Sequence, residues 1–251
     1  EDILFQHPLV PVYKENGEFA GPTDGLGDRL NPVGIADRNK NNVIRNWRIF
    51  GNAFIEVLPI ESVTLRSSMG LDYGNTYVRS FQERFDEGTQ QRVNNELFNE
   101  YRWGLSWTWS NTVEYTDTFA ENHNVNVLGG VEAIESRSEF FNSLGREFFL
   151  DEDPDYRYLD AAAEIANSSG GGSESTLLSF FGKADYNYAD RYLGSFTLRR
   201  DASSRLGRVS NNAVFPAFSL GWRISNEPFF SSIDAVDDLK VRFGWGQTGG
   251  Q

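Results

Sequence analysis

The stretch Ala213-Val214-Phe215-Pro216-Ala217-Phe218-Ser219-Leu220-Gly221-Trp222-Arg223-Ile224 decides how the chain is read. Every second residue, Val214, Pro216, Phe218, Leu220, Trp222 and Ile224, is apolar, while Ala217, Ser219, Gly221 and Arg223 between them are small or charged. A period of two sends successive side chains to opposite sides of a sheet, so this is a strand with one greasy face. The other face carries an arginine that must meet water or a partner.

The same alternation recurs on both sides of this strand. Leu239, Val241, Phe243 and Trp245 alternate with Lys240, Arg242, Gly244 and Gly246. Upstream, Leu178, Phe180, Gly182, Ala184, Tyr186 and Tyr188 alternate with Ser179, Lys183, Asp185 and Asn187; after a tight Ala189-Asp190 turn, Tyr192, Phe196 and Leu198 alternate with Ser195, Thr197 and Arg199. Two hairpins precede these. Val43 to Leu58 and Val63 to Tyr73 form the first, with Phe50 and Phe54 breaking the pattern; Tyr101 to Tyr115 and Val125 to Ala133 form the second. This reading predicts eight strands, several longer than the usual roughly 5 or 6 residues.

Between the strands the chain is polar. Residues 1–42 are rich in Pro, Gly, Asn and Asp and read as a loop segment; His7 there has no second histidine nearby, so a solvated loop histidine is expected rather than a metal ligand. Gly74 to Glu100 and Phe140 to Thr176 read as long connections. The second holds the acidic run Asp151-Glu152-Asp153-Pro154-Asp155, which lacks EF-hand spacing, and the run Ser168-Ser169-Gly170-Gly171-Gly172-Ser173, which lacks the Lys of a phosphate loop and reads as a flexible loop. Asn167-Ser168-Ser169 is a glycosylation sequon of the kind that arises by chance.

The connections at Pro59, Phe119 and Ala189 are short, and that at Asn226 to Asp238 is moderate; those beginning at Gly74, Phe140 and Asp201 are longer. An up-and-down antiparallel sheet places the short turns at one end and the long loops at the other, the asymmetry of outer-membrane barrels. Tyr101, Tyr115, Tyr188 and Tyr192 near strand ends suit interfacial girdles. A soluble β-sandwich or barrel with its greasy face on a second sheet remains open on alternation alone.

Composition narrows the function classes. A formal charge of −13 argues against a nucleic-acid surface, which needs clustered Lys and Arg. Much of the acid belongs to one connection, since Glu139 to Glu174 holds nine acids against Arg146 and Arg157. With no cysteine there are no disulfides, thiolate nucleophiles or thiolate-held metals. Neither a leader peptide nor a spanning helix is expected within the sequence, and a barrel strand would show neither. There is no acid pair, nucleophile-base set or metal cluster with defined spacing, so no catalytic residue, metal or cofactor is expected and the chain is not read as an enzyme.

Four blocks then carry a resemblance. They are Asp190-Arg191-Tyr192-Leu193; Arg199-Arg200-Asp201-Ala202-Ser203-Ser204-Arg205-Leu206-Gly207; Phe215 to Ser225 with Glu227, Pro228 and Phe229; and Leu239-Lys240-Val241-Arg242 with Gly246-Gln247-Thr248-Gly249-Gly250-Gln251. In that order they closely resemble the barrel of SusC/RagA-like TonB-dependent outer-membrane transporters, with a less distinctive match over Asn31 to Arg137 that includes Asp37-Arg38-Asn39 and Val127-Leu128-Gly129-Gly130-Val131-Glu132. The family pattern usually reads Asp-Gly-Ser-Ser-Arg-Phe-Gly and Thr-Gly-Asn-Gln where this chain has Ala202, Leu206 and Gly250.

The resemblance implies an all-β fold, a segment of an antiparallel up-and-down transmembrane β-barrel over residues 43–251, with short periplasmic turns and long extracellular loops. It further implies a larger barrel of roughly 22 strands and a plug that contacts the TonB complex, both beyond this chain. It implies import of oligosaccharides (glycans), or in some members peptides, across the outer membrane of Bacteroidota together with a SusD-like surface lipoprotein. The alternative is a soluble β-rich carbohydrate-binding or adhesive module. On the polar faces, Arg66, Asp72, Arg102, Glu114, Lys183, Asp185, Arg199, Arg223, Lys240 and Arg242 are the lumen-facing candidates, each expected to make a structural salt bridge or plug contact before it touches substrate. Phe140, Phe141, Phe148, Tyr156 and Tyr158 are the loop aromatics placed to stack on sugar rings.

Overall fold

The structure is a computed structural model and describes residues 7–23, 25–150, 152–206, 212–230 and 236–249. Its elements are helix α1 (Pro32–Asn39) and strands β1 (Val43–Ile60), β2 (Val63–Gln82), β3 (Phe85–Glu87), β4 (Gln90–Arg92), β5 (Glu96–Phe119), β6 (His123–Phe148), β7 (Ala162–Tyr188), β8 (Tyr192–Ser203), β9 (Asn212–Arg223) and β10 (Lys240–Gly246). One sheet runs β1-β2-β5-β6-β7-β8-β9-β10, with each strand beside its predecessor in the chain, and β3 and β4 form a separate ribbon. The eight-stranded meander is therefore present as read. It is open, with β1 and β10 as its edges, so it is not a self-closed eight-stranded barrel.

Three expectations are corrected. Residues 162–176, read as a flexible loop with its glycine run, are strand, and the polar stretch 74–82 continues β2. The glycines are there because the neighbouring strand comes close: a Cβ on Gly172 would lie 3.0 Å from the Ser138 carbonyl, and one on Gly171 would lie 3.2 Å from the Phe140 ring. The segment expected to be all loop holds α1, whose start is fixed by Asn31; its side-chain oxygen accepts from the N–H groups of Val33 and Gly34, with Pro32 in the first turn. No helix among the described residues is long and apolar enough to cross a membrane, which leaves spanning by strands untouched.

The tight turns use left-handed backbone. Ala120 and Glu121 have φ of 45° and 63°, and Ala189 and Asp190 have 51° and 55°, the consecutive positive φ angles that match strand twist in a two-residue reversal. Asp190 is suited to it, because Arg223 pairs with its carboxylate and Asn226 donates to its carbonyl at 3.0 Å.

Contacts group the described residues into two compact units. In the first (1–48, 74–104, 138–172), Phe81, Leu97 and Phe148 are buried against Leu159 and Ala162, with the Phe81 and Phe148 rings edge-on at 5.3 Å. Arg157, 3% exposed, lies 4.2 Å from the Phe81 ring centre and pairs with Glu83 at 2.6 Å. Asn31 also ties the segment before α1, donating to the carbonyls of Val12 and Ala20, while the buried Glu87 of β3 accepts the Asn31 N–H and pairs with Arg38.

The second unit (49–73, 105–137, 173–251) is built from two-faced strands. The register aligns Ala184, Phe196, Phe218 and Trp245 in one cross-strand row and Tyr188, Tyr192, Trp222 and Val241 in another. Phe196, Phe218, Leu220, Trp222, Phe243 and Trp245 are exposed. Leaving a row of large apolar side chains about half exposed to water costs roughly 1 kcal/mol apiece. Summed over this face that reaches the whole stability of an ordinary domain, about 5–15 kcal/mol. A face of this kind needs an apolar environment against it.

Candidate functional site

The opposite face of the second unit is a polar wall whose side chains bond across strands. Ser110 on β5 donates to Glu132 on β6 at 3.0 Å; Arg199 on β8 donates to Glu132 at 3.1 Å, to the Ser179 hydroxyl on β7 at 2.8 Å and to Asp201 at 2.8 Å. Ser179 is fully buried, because Arg199 lies over it. Phe181, beside Arg199 in register, packs its ring over Gly130, where a Cβ would come within 2.6 Å of the ring.

The candidates read from sequence sit as follows. Arg66 lies 3.5 Å from Glu56 and 4.0 Å from the Phe54 ring centre, which explains why Phe54 breaks the apolar alternation. Asp72 is on the same face of β2 as Arg66 by parity. Glu114 accepts from Asn126, and Lys183 pairs with Asp185 at 2.8 Å. Arg223 is a staple of the turn end, paired with Asp190 and 3.7 Å from Asp238. Arg102 belongs to the first unit, 3.4 Å from Glu100 and 5.8 Å from the Phe140 ring centre.

Asp185, Lys240 and Arg242 come together with Thr116, Ser195 and Ser219 around a groove of about 430 Å³. Neither Lys240 nor Arg242 has an ion-pair partner among the described residues. The wall thus bonds these charges to neighbouring side chains, across strands at Arg66–Glu56 and Arg199–Glu132 and within one strand at Lys183–Asp185, and presents two cations on its last strand. Among the described residues no three histidine or carboxylate side chains converge as a metal site would require.

Sequence reading missed Glu132, Ser179, Asp201 and Phe181 as members of the wall. Glu132 and Ser179 carried a signal, since both fall on the polar side of their strands; Phe181 carried none, because its partner is the bare backbone of Gly130. One loop aromatic is corrected: Phe148 is 1% exposed and belongs to the small core, so it does not face a ligand. Phe140 and Phe141 lie on β6 rather than in a loop, and Tyr156 and Tyr158 are exposed.

At the turn end the apolar face finishes in amphipathic rings. Tyr188 stacks on Tyr192 at 6.3 Å, and His123 lies 4.8 Å from Tyr188 and within 2.7 Å of the Tyr186 hydroxyl. Tyr192 donates to Glu227 at 2.7 Å and Trp222 donates to the same oxygen at 2.9 Å, with Arg191 3.7 Å from the other oxygen. The hydroxyl of Tyr192, then the indole of Trp222 and the Arg191 charge, hold the Glu227 carboxyl below the usual carboxylate range.

An apolar face, a charged inner face, an aromatic girdle and an up-and-down order of long strands define the wall of an outer-membrane β-barrel. No family model matches the chain. It is 28% identical over 97% of its length to a TonB-dependent receptor of Formosa agariphila, covering 25% of that protein. It is 29% identical over 84% of its length to the TonB-dependent receptor SusC of Bacteroides thetaiotaomicron, covering 20% of it. Among solved structures, the RagAB peptide importer in its closed-closed state superposes over 96% of this chain and 27% of that one with a TM-score of 0.81 at 22% identity; the open-open state gives 0.80 over 94% and 26%.

Over nearly all of its length the chain is similar to a barrel segment of SusC/RagA-like TonB-dependent receptors, and its place is the bacterial outer membrane. It spans about a quarter of the length of the relatives it matches. Those relatives are receptors and transporters, not enzymes.

Proposed function

We propose that the chain is part of the barrel wall of a transporter that imports oligosaccharides, or peptides, through the outer membrane. Energy comes from the TonB complex through a plug, and a SusD-like surface lipoprotein works with it. Residues 43–251 contribute to a single barrel domain. The observation that carries this reading is the two-faced sheet: cross-strand rows of exposed apolar side chains on one side, and the Ser110-Glu132-Arg199-Asp201 network on the other. Likeness to receptors named as TonB-dependent supports the energy coupling; a peptide importer among the structural neighbours supports the import direction.

In this reading the bonded side chains of Arg66, Glu114, Lys183, Asp185 and Arg199 keep the wall of the second unit rigid beside the plug, with Asp72 on the same face of β2 as Arg66; Arg102 is a lining candidate of the first unit. Arg223 fixes the turn. Lys240 and Arg242 are the members left to meet the plug or passing cargo. Tyr156 and Tyr158 offer exposed rings for sugar at the loop end.

The test is uptake by native cells lacking the parent gene. Labelled oligosaccharides and labelled peptides are offered separately, with and without an uncoupler of the inner-membrane proton gradient. Loss of energy-dependent uptake of one class identifies the cargo; uptake of both unchanged from wild type refutes import.

A further inference from the structure

Strand β7 is longer than its partner on one side. Strand β8 covers it only from Leu177 to Tyr188, yet β7 begins at Ala162. Thr176, the first residue past that ladder, donates its N–H to the Ser204 hydroxyl at 2.9 Å and accepts the Ser204 N–H at 3.0 Å. Backbone groups alternate in direction along a strand, so the even-numbered residues aim their N–H and C=O toward the β8 side. The odd ones face β6, in keeping with the Asn167 carbonyl accepting from the Ser143 hydroxyl at 3.3 Å.

Over Ala162 to Gly172, then, Glu164, Ala166, Ser168, Gly170 and Gly172 present a row of donors and acceptors that no strand covers among the described residues. This edge differs from those of β1 and β10, because β7 already has its two sheet neighbours in place.

The edge also lacks the usual protections. It carries no proline and no lysine, and its serines and glycines let another backbone come close. Its charge has one sign. From Tyr158 to Gly182 there is no Lys or Arg, while Asp160, Glu164 and Glu174 are acidic.

We propose that the open edge of β7 is a strand-addition site for a basic, extended segment of a partner polypeptide. Main-chain hydrogen bonds supply the affinity and the acidic flanks select lysine and arginine. The proposal is independent of what the receptor imports.

The whole receptor in detergent is titrated with a fluorescent peptide of alternating lysine and threonine, about ten residues long to match the edge at ~3.3 Å per residue. A glutamate-threonine peptide serves as control. Binding of the lysine peptide alone is expected. S168P removes one outward N–H while sparing the bonds to β6, and should weaken binding about threefold to tenfold; the pair E164K and E174K should weaken it further at low salt. A lysine peptide N-methylated at every second amide should fail to bind unaltered receptor, a test that stands even if S168P does not fold. Equal binding of both peptides, or undiminished binding of the N-methylated one, would overturn the proposal. So would receptor dimers abolished by S168P, which would make a second copy the occupant, or import of the bound peptide into cells, which would make it cargo.

Discussion

Arg199 on β8 reaches across β7 to place its guanidinium 3.1 Å from the Glu132 carboxylate on β6, and on the way donates to the buried hydroxyl of Ser179. Three strands are joined by one side chain. Replacing Arg199 with Met keeps the aliphatic stem but strands the Ser179 hydroxyl and two carboxylates, Glu132 and Asp201. Losing hydrogen bonds to charged groups at a partly exposed site should cost about 1–3 kcal/mol. Denaturant unfolding of the receptor in detergent measures it, and the E132Q/R199M cycle should show coupling of about 0.5 kcal/mol or more. Strict additivity would mean that the network does not act as a unit.

Glu227 gives the turn end a pH dependence with a defined sign. Its carboxyl is held below the usual range by the Tyr192 hydroxyl, the Trp222 indole and Arg191. A depressed folded-state pKa adds stability that is fully present above the unfolded value, about 4.3, and lost as pH falls through the folded one. Melting of the receptor should therefore be insensitive to this group from pH 7 to about pH 5 and become sensitive below that. E227Q should be less stable than wild type at pH 7, with the gap closing in acid. A gap that stays constant down to pH 3 would show that the carboxylate charge contributes nothing.

How far the sequence carried is seen by comparing two runs of residues. At Val214 to Trp222 every second side chain is apolar, so the period and the two faces were legible, while the partners in β8 and β10 came only with the register. At Ala162 to Thr176 the side chains are small, and no period distinguishes strand from loop. What keeps that stretch extended is β6 beside it, a neighbour local composition does not disclose. Phe148 was misplaced for the same reason. Its burial depends on Asn95, whose side chain both accepts from the Phe148 N–H and donates to its carbonyl, and on Phe81 and Leu97. Helix α1 did leave a mark, the Asn31-Pro32 pair, but its eight residues are too few to show a helical period. Within the wall, the charges were legible as members of the polar faces, while partners on other strands, such as Glu132 for Arg199, were not, because those are set by cross-strand register.

Ser219 and Leu220 should separate the two faces. Ser219 lies opposite Ser195 on the polar side, whereas Leu220, 58% exposed, sits between Gly194 and Phe243 on the apolar side. The sequence has no cysteine, so single replacements report cleanly. In outer-membrane vesicles made permeable to the reagent, S219C should label with a charged maleimide and L220C should not; dissolving the lipid in detergent should do nothing for the former. Labelling of L220C alone would reverse the assignment of faces.

The adjacent glycines of β6 should differ sharply in what they tolerate. A Cβ on Gly129 meets only the Val113 methyl at 3.8 Å, an ordinary contact. On Gly130 it would stand 2.6 Å from the Phe181 ring and 2.9 Å from the Asn111 carbonyl, and the latter is backbone that cannot turn away. G129A should be neutral to slightly stabilising, since alanine restricts the unfolded chain at no steric cost. G130A should cost about 1–3 kcal/mol through forced displacement of Phe181, the usual range for overpacking. Because Phe181 adjoins Arg199 in register, the displacement should also loosen the network, so G130A and R199M are expected to combine less than additively. Paired unfolding curves of the two alanine variants check the first claim and the G130A/R199M double variant the second. Equal tolerance at both positions would show that the Phe181 ring does not rest on the Gly130 backbone.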